Sequence, residues 1–554
     1  MAHKAGLDFG TTFSTISSYS DGVMKVLKLN NSEYIPTCLS ISDKGDVIIG
    51  GAAQVLDSGE IKTCYFYDLK RWVGVDKINY NVIKQKIKPA YVTSLVGNDV
   101  HITGINKGFS CTYTVKQLIL LFIDTVVRLF SKIENLNIVS INVSVPADYK
   151  CKQRMFMRSV CDSLGFSLRR IINEPSAAAI YNVSKYPNYK YFIMYDFGGG
   201  TFDCSLITRD GRFVTVADTE GDSYLGGRDI DNAIQKYLMA KNKLSHPITS
   251  DFLASIKEEC NSTSKTSFTV FDVNNRLKTV SFNKEDLVIC TKPFCTRSLE
   301  ILNNMIERNS ITTGVIFLVG GSSLLKTVQD EVRSFSMKKN LECVIDKDLR
   351  NAVSFGCSMQ HAQEDSGTMT YIDCNSHPLM DISMFGNPKI IIRKPMSVPY
   401  THIEKRKVDR HYNTALNIYE GSDLFTLNND WLISADVRTK DYCLEGQELS
   451  IKYVYNIDGM LDLYIKSNFQ NKDILLKNKF SLTEKIAKLD LKLTQLSTID
   501  EAATLVAILS YYNSDLEALL KLVKTPSLFE SELSRVVSTK ELLSKLVSLN
   551  KNFS

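Results

Sequence analysis

Apolar and polar residues alternate along the first 50 positions, between turns that contain glycine and aspartate. A period of two indicates strands with one buried face, so this segment predicts a strand meander. A longer apolar stretch at 115–130 predicts a buried helix, and the short apolar run 138–145 predicts a strand. Residues 152–164 have helical spacing and stop at Gly165. Strands mixed with helices in this way predict an α/β domain.

One short motif occurs twice. Residues 6–12 read GLDFGTT and residues 194–201 read MYDFGGGT. Each copy is an apolar strand that ends in aspartate, followed by a turn of small residues and a returning strand. The repeat therefore predicts two lobes of the same fold that face each other across a cleft.

The pattern changes near residue 365. Alternating segments such as 415–419 and 449–455 predict a β-sandwich, whereas apolar residues recur at helical spacing from about 480 to 550. We predict a first domain at 1–365, a linker at 366–377, a β-sandwich at 378–470 and a short helical bundle at 480–550.

Length and composition narrow the class of protein. The chain has 554 residues, of which 44% are hydrophobic and 23% charged, so two or three ordinary globular domains are expected. A net charge of +5 is too small to indicate a nucleic acid or an anionic membrane as a direct partner. The 13 cysteines form no Cys-x-x-Cys pair, and no apolar signal or membrane-spanning segment is evident. These features predict a soluble intracellular protein that contacts nucleic acid only indirectly.

The two glycine turns carry the chemistry. Glycine lets backbone N–H groups approach an anion closely, and threonine hydroxyls add further donors. Asp8 and Asp196, at the ends of the two strands, supply the oxygen ligands that a hydrated Mg²⁺ prefers. The Walker pattern of P-loop proteins is absent. Either turn alone fits an ordinary hairpin, but the pair predicts a site for a nucleoside triphosphate.

Five ordered segments resemble the seventy-kilodalton heat-shock chaperones. They are GLDFGTTFS at 6–14, IINEPSAAA at 171–179, FGGGTFD at 197–203, LGGRDID at 225–231 and VGGS at 319–322. The resemblance is strong over 1–230, patchy to 360 and degenerate over 378–467. This pattern is similar to the shortened, divergent chaperone homologues of plant closteroviruses.

The resemblance implies a two-lobed, actin-like (duplicated ribonuclease-H-like) ATPase domain followed by a degenerate β-sandwich and a short helical region. ATP or ADP and Mg²⁺ are the implied cofactors, with Asp8 and Asp196 as metal residues. The implied catalytic residues are Lys70, Glu174, Thr201 and Asp203. The implied nucleotide-binding residues are Gly10, Thr11, Thr12, Gly198, Gly199, Gly200, Gly226, Gly227, Ser264, Gly320, Gly321 and Ser322.

Other interpretations of two of these residues remain open. Outside the family context, Lys70 fits a solvated surface lysine, and Glu174 before Pro175 fits a carboxylate at the start of a helix.

The sequence departs from the family at the part of the site that binds adenosine. The family's helical pattern Glu-x-x-Lys-Arg-x-x-Ser aligns with 257–264, where only Ser264 is kept and Asn261 replaces an arginine. Leu324 stands where the family has an arginine that stacks on the base, and leucine cannot stack or hydrogen-bond like a guanidinium. We therefore expect weak affinity and relaxed base selectivity. The connector near 370–374 has few leucines, which predicts that nucleotide does not control the C-terminal region.

Three functions fit these observations. The first is a viral chaperone-like ATPase that acts in virion (tail) assembly and cell-to-cell movement, in the host cytoplasm, on virions and at plasmodesmata. Its implied partners are viral coat proteins, other virion components, and host cytoskeletal or plasmodesmal proteins. The second is a structural virion or movement component that binds nucleotide with little or no turnover. The third is a metabolite kinase on the same fold, which the segment 171–179 and the β-sandwich pattern argue against.

Overall fold

The computed structural model describes residues 2–476, except for short gaps at 59–61, 107, 184, 187, 245, 275, 368, 383–387, 408–414, 423–428, 437–447 and 467–472. The helical bundle predicted at 480–550 lies outside the described residues. In the described segments, no α-helix has both the length and the apolar character needed to span a membrane.

The chain forms two compact units. The first comprises residues up to Val75, Lys86–Tyr149 and Gln153–Ser376, and the second comprises Asp76–Gln85, Lys150–Lys152 and the described residues from His377 onward. The domain boundaries predicted from the sequence stay predictions.

The first unit contains the strands β1 to β20. They are β1 (Ala2–Asp8), β2 (Phe13–Ser20), β3 (Val23–Val26), β4 (Ile35–Pro36), β5 (Cys38–Ser42), β6 (Val47–Ile49), β7 (Thr63–Tyr67), β8 (Val92–Val96), β9 (Asp99–Asn106), β10 (Phe109–Thr114), β11 (Asn137–Val145), β12 (Ser167–Asn173), β13 (Tyr191–Phe197), β14 (Phe202–Asp210), β15 (Phe213–Asp222), β16 (Lys265–Phe271), β17 (Leu277–Asn283), β18 (Val315–Val319), β19 (Glu342–Val344) and β20 (Thr370–Cys374).

The described residues also form ten α-helices and two 3-10 helices. The α-helices are α1 (Gly51–Ser58), α2 (Tyr80–Ile87), α3 (Val115–Ile133), α4 (Cys151–Cys161), α5 (Glu174–Val183), α6 (Gly227–Asn242), α7 (Ser250–Thr263), α8 (Lys284–Arg308), α9 (Lys326–Lys338) and α10 (Ala352–Ser366). The 3-10 helices are η1 (Leu69–Trp72) and η2 (Gly321–Leu324). The helix predicted at 152–164 ends at Cys161, before the turn that contains Gly165.

Two sheets of the first unit repeat one topology. The first lobe has the order β12-β11-β1-β2-β3 and the second lobe has the order β19-β18-β13-β14-β15. In each lobe the first three strands of that order are parallel, and the last two continue as an antiparallel meander. The two motif copies thus lie at the carboxyl ends of the equivalent central strands β1 and β13. The duplication predicted from the sequence repeat is visible in this shared topology.

Two closely packed helices connect the lobes. α10 packs against α5 and also against β1. A Cβ on Gly356 would lie 1.7 Å from the carbonyl oxygen of Ala177, and one on Gly6 would lie 2.3 Å from the backbone nitrogen of Ser358. Because the opposing atoms belong to the backbone, only glycine fits at these contacts. Glu174, the first residue of α5, is thereby held at the base of the cleft.

The connector packs against the first unit despite its few leucines. β20 pairs in parallel with β15, from Thr370 opposite Phe213 onward. Asp373 accepts hydrogen bonds from the Asn173 amide and the Ser176 hydroxyl, each at 3.0 Å. Backbone pairing and one carboxylate therefore provide contacts that do not depend on leucine. Independence of the C-terminal region from nucleotide stays a prediction.

The second unit contains the strands β21 to β29. They are β21 (Leu379–Ile382), β22 (Pro388–Ile392), β23 (Ser397–Val398), β24 (Tyr400–Lys407), β25 (Ala415–Glu420), β26 (Asp430–Asp436), β27 (Glu448–Tyr455), β28 (Leu461–Lys466) and β29 (Asp473–Leu476). Two four-stranded antiparallel sheets have the orders β22-β21-β25-β26 and β24-β27-β28-β29. An ion pair between Arg406 of β24 and Asp381 of β21 links them. Buried and less buried residues alternate along β27, as the sequence pattern predicts for a sandwich strand.

Candidate functional site

A cavity of about 290 Å³ lies between the two lobes of the first unit. Most of the site residues predicted from the sequence line it. They are Asp8, Gly10, Thr11, Thr12, Lys70, Glu174, Asp196, Gly198, Gly199, Thr201, Gly227, Gly320, Gly321 and Ser322. Asp203, Gly200, Gly226 and Ser264 do not line the cavity in the described structure.

The two glycine turns face each other across this cavity. A Cβ on Gly199 would lie 2.3 Å from the Thr12 hydroxyl oxygen, and one on Gly200 would lie 2.7 Å from that of Thr11. The turns therefore approach too closely for any side chain at these glycines. Such turns present backbone N–H groups and hydroxyls to an anion, which is the arrangement expected for a phosphate site.

The start of α6 supports the second turn from behind. The N–H groups of Gly227 and Arg228 donate to the carbonyl oxygens of Gly198 (3.0 Å) and Gly199 (2.7 Å). A Cβ on Gly226 would lie 2.5 Å from the Gly200 backbone, so Gly226 and Gly200 form the contact beneath the turn. These two glycines position the site without lining it.

The loop after β18 completes this side of the cavity. The Ser322 hydroxyl donates to the Gly198 carbonyl oxygen at 2.7 Å. Gly320 has a φ of +83°, and a Cβ there would lie 2.4 Å from the Asp196 carboxylate. Glycine is required for both reasons.

Lys70 and Glu174 form a buried ion pair at the cavity wall. The Lys70 ammonium donates to Glu174 Oε1 at 2.5 Å, and the side chains are only 5% and 9% exposed. Lys70 is therefore not the solvated surface lysine of the alternative interpretation. Glu174 begins α5, as the alternative interpretation expects, and also lines the cavity, while its catalytic role stays a prediction.

Three buried carboxyl groups surround this pair. Burial, followed by the negative charge of Glu174, raises the pKa of Asp8 to about 7, although Lys70 and a hydrogen bond from Ser144 oppose the shift. The same two causes, in the same order, raise the pKa values of Asp196 and Asp203 well above their usual range. This excess of buried negative charge is the environment in which a bound cation would stabilise the ionised forms.

Asp8 and Asp196 fit a hydrated Mg²⁺ better than a fully protein-ligated metal. The described residues contain no group of three or more His, Cys, Asp or Glu side chains arranged to hold a metal ion. Mg²⁺ keeps several waters and takes one or two carboxylates together with phosphate oxygens. Asp203 does not line the cavity, and its carboxylate accepts a hydrogen bond from the Asp148 N–H at 3.0 Å.

The position of Ser264 does not support its predicted part in the nucleotide site. Ser264 is exposed, caps the carboxyl end of α7 with a φ of 68° and does not line the cavity. α7 contributes Lys257, Glu258 and Asn261 to the cavity, at a spacing that places them on one helix face. Because α7 ends at Thr263, Ser264 no longer continues that face.

Asn261 is occupied by backbone hydrogen bonds. Its amide nitrogen donates to the Leu324 carbonyl oxygen at 3.1 Å, and its amide oxygen accepts from the Lys326 N–H at 2.8 Å. Lys257 pairs with Asp231 at 2.7 Å and donates to the Gly227 carbonyl oxygen at 3.2 Å. These side chains hold α7, α6 and the loop after β18 together around the cavity.

Two ion pairs link the lobes beside the cavity. Arg71 of η1 donates to both carboxylate oxygens of Asp229 in α6, at 3.0 and 2.9 Å. Arg228 of α6 donates to the Asp68 carboxylate at 3.0 Å. Each pair is largely buried. Because these residues adjoin Lys70 and Gly227 in the sequence, the pairs tie both lobes together next to the phosphate turns.

A protein family matches the part of the chain that contains all the cavity residues. The family described as Hsp70 protein matches residues 4–472. The chain belongs to the Hsp70 family. Hsp70 proteins have a two-lobed, actin-like ATPase fold and generally bind ATP or ADP with Mg²⁺, and the duplicated α/β topology agrees with that fold. The resemblance noted from the five sequence segments is confirmed.

Relatives within the Hsp70 family come from plant viruses. The chain is 50% identical over 550 residues to the "Movement protein Hsp70h" of Lettuce infectious yellows virus, covering 99% of both chains. It is 30% identical to the Hsp70h of Beet yellows virus over 75% of this chain and 72% of that protein. For Grapevine leafroll-associated virus 3 the identity is 28%, over 72% and 74%. The narrower resemblance to closterovirus Hsp70 homologues is therefore confirmed as well.

Several lining residues were not predicted from the sequence, and Tyr34 and Arg350 are two of them. They belong to no recognised motif, yet both line the cavity. Arg350 precedes α10 and is more than 300 residues from Tyr34 in the sequence, so only the folded chain brings them together.

Proposed function

We propose that this protein binds ATP and ADP with Mg²⁺ in the interlobe cavity and slowly hydrolyses ATP. The observation that carries the proposal is the buried pair of Lys70 and Glu174 beside two facing glycine turns. A lysine ammonium seldom lies buried in a polar cleft without a role, because its desolvation must be offset by specific partners.

Each group has a distinct part in the proposed reaction. The N–H groups of the turns and the hydroxyls of Thr11, Thr12 and Thr201 bind phosphate oxygens. Asp8 and Asp196 hold the hydrated Mg²⁺, which neutralises phosphate charge when bound. The Lys70 ammonium orients the attacking water and stabilises charge that develops on the transferred phosphoryl group, since phosphoryl transfer depends mainly on positioning and electrostatics.

The ion pair leaves donors on Lys70 for a ligand, because an ammonium carries three N–H groups and Glu174 accepts from one of them. Leu324 and Asn261, which stand where the family has arginines, favour slow turnover. The same two residues favour a second candidate function, a structural virion or movement component that binds nucleotide with little or no turnover. Kinetics distinguishes the two, because both predict nucleotide binding.

The names of the viral relatives support a role in virus movement. Relatives from three viruses are called movement proteins, and one of them matches this chain from end to end. We propose that the protein acts in cell-to-cell movement and in assembly of the virion tail, as a component of virions and at plasmodesmata in the host cytoplasm. Viral coat proteins, other virion components, and host cytoskeletal or plasmodesmal proteins are the proposed partners.

Phosphate release by the purified full chain tests the enzymatic proposal. We expect slow release that requires Mg²⁺, and Asp8→Asn and Asp196→Asn should each raise the Mg²⁺ concentration needed. Asp330→Asn is the matched control, because Asp330 is exposed on α9. Nucleotide binding without release would favour the structural component, and absence of binding would contradict both functions. Adding coat protein tests whether the partner stimulates turnover.

A further inference from the structure

Arg350 occupies an unusual position in the cavity. It lies in the turn before α10, is half-buried and lines the cavity together with Phe13 and Tyr34. Its guanidinium carbon lies 4.7 Å from the centre of the Phe13 ring and 4.2 Å from that of Tyr34. Both distances are within the range of favourable cation–π contact, so the two rings fix the side chain in place.

The guanidinium lacks protein acceptors for its N–H groups. Among the residues that the structure describes, none accepts a hydrogen bond from Arg350 or forms an ion pair with it. The charge of Glu258, which also lines the cavity, acts on Arg350 electrostatically. A guanidinium carries five N–H donors, and these remain available to an acceptor on a ligand bound in the cavity.

The position of Arg350 identifies which end of the ligand it meets. Its Nε and Nη2 atoms lie 3.7 Å from the place that a Cβ on Gly321 would occupy. The cavity has apolar lining residues, Ala254, Leu324, Leu325 and Val353, beside the polar residues that α7 contributes. Apolar side chains suit the face of a nucleobase, whereas the glycine turns suit the phosphates. We assign Arg350 to the nucleoside end, because the charge that acts on it is that of Glu258, which lies on the same helix as Ala254.

We propose that Arg350 is a specificity residue that recognises purine nucleotides by donating hydrogen bonds to the N7 edge of the base. Adenine and guanine both carry an acceptor at N7, and guanine adds O6, whereas cytosine presents an N–H₂ donor at the corresponding edge. A guanidinium fixed beside the base thus favours either purine over cytosine. This inference rests on the proposed nucleotide-binding function and adds to it the residue that recognises the base.

The test compares ligands with and without a nucleoside. Equilibrium titrations of the full chain with ATP, GTP, CTP and tripolyphosphate are performed for the native protein, Arg350→Leu and Arg350→Lys. Arg212→Leu is the matched control, because Arg212 also stacks on an aromatic ring (Phe213, at 5.2 Å) but does not line the cavity. Thermal unfolding of each variant verifies that the fold is retained.

We expect Arg350→Leu to weaken ATP and GTP binding about tenfold, or about 1.4 kcal/mol, while tripolyphosphate and CTP change by less than about twofold. Arg350→Lys should fall between, because lysine keeps the charge but loses the planar fork. Equal weakening of tripolyphosphate would place Arg350 on the phosphates and overturn the inference, as would unchanged purine binding. If the native protein binds tripolyphosphate but no nucleotide, this inference fails while a phosphate site survives. If it binds neither, the proposed function fails as well.

Discussion

The phosphate half and the base half of the cavity are built by different means. The phosphate half uses the turns after β1 and β13, which occupy equivalent places in two sheets of the same topology. The base half combines α7, the leucines at 324 and 325 and the turn before α10, which lie in unrelated parts of the fold. Close approach fixes the first half, since a Cβ on Gly226 would collide with the backbone of Gly200, which belongs to the second turn. Side chains from distant segments form the second half.

This difference explains why the phosphate half could be predicted from the sequence and the base half could not. A turn that brings backbone N–H groups to phosphate demands glycine at fixed positions, and that demand leaves a short motif. A base pocket needs only suitable side chains at its wall, which many segments can supply. We therefore expect the phosphate half to lose ligand binding when a methyl group is added to one of its glycines. We expect the base half to tolerate substitution of its side chains.

The largest effect is expected for Lys70→Ala in the phosphate half. Removing the ammonium should lower single-turnover hydrolysis by at least about 100-fold, because a positioned charge stabilises the transition state. ATP affinity, measured by titration, should change less than about threefold, since the turns bind the ground state. Lys292→Ala, at an exposed lysine, is the control. Equal losses in affinity and turnover would count against the assigned role of Lys70.

The next largest effect is expected for Gly226→Ala. The added methyl would lie 2.5 Å from the Gly200 nitrogen and Cα, so the second turn has to shift. Overpacking of this kind costs about 1–3 kcal/mol, and we expect affinities for ATP and tripolyphosphate to fall together by about tenfold or more. Gly165→Ala is the matched control, because nothing lies within 4 Å of its Cβ position. Retained tripolyphosphate binding would show that the turn is not the phosphate site.

A smaller effect is expected at the ion pairs between the lobes. Arg71→Leu removes the bidentate contact to Asp229 and leaves that carboxylate without its guanidinium partner. We expect release of a fluorescent ATP analogue to accelerate about fivefold, because weakened contacts act mainly on dissociation. Stopped-flow displacement by excess ATP measures the rate.

Arg128→Leu controls for the loss of an arginine. Its partner Asp124 is one helical turn away, and the arginine side chain is 74% exposed, so this pair contributes little. An unchanged release rate in Arg71→Leu would mean that the two lobes do not need this pair to retain nucleotide.

The sequence predicted the parts of the fold that rest on backbone demands. The repeat at Asp8 and Asp196 predicted two equivalent strands and the cavity between them, and the alternating segments predicted the sheets of the second unit. The contacts of Arg350 with Phe13 and Tyr34 could not be predicted, because no spacing relates residues so far apart. The end of α7 at Thr263 could not be predicted either, and it removes Ser264 from the helix face that lines the cavity.

The connector shows the same limit in another form. Its few leucines predicted that nucleotide does not control the C-terminal region, which stays a prediction, but they gave no sign that β20 pairs with β15 or that Asp373 accepts two hydrogen bonds. Strand pairing uses backbone groups that every residue except proline supplies fully, so composition alone carries no signal for it. The side chains that fix the pairing, Asn173 and Ser176, lie in the segment at 171–179 already noted for its resemblance to the chaperones.

The smallest difference is expected between ATP and GTP. The Asn261 amide, which could have distinguished the groups at position 6 of the base, is occupied by the backbone at Leu324 and Lys326. Leu324 offers only apolar surface, and Arg350 would donate to the N7 acceptor that both purines share. We therefore expect the two affinities to agree within about tenfold, or about 1.4 kcal/mol.

Competition titration against one fluorescent nucleotide measures this ratio directly. Leu324→Arg sharpens the test, because an added guanidinium on the apolar wall should strengthen both purine nucleotides without separating them. A preference of several orders of magnitude for ATP in the native protein would contradict the prediction and would indicate that an acceptor in the cavity lining, such as the Glu258 carboxylate, binds the adenine amino group. It would also show that the base half selects its ligand as strictly as the phosphate half does. The two halves would then differ only in whether a short sequence motif reveals them.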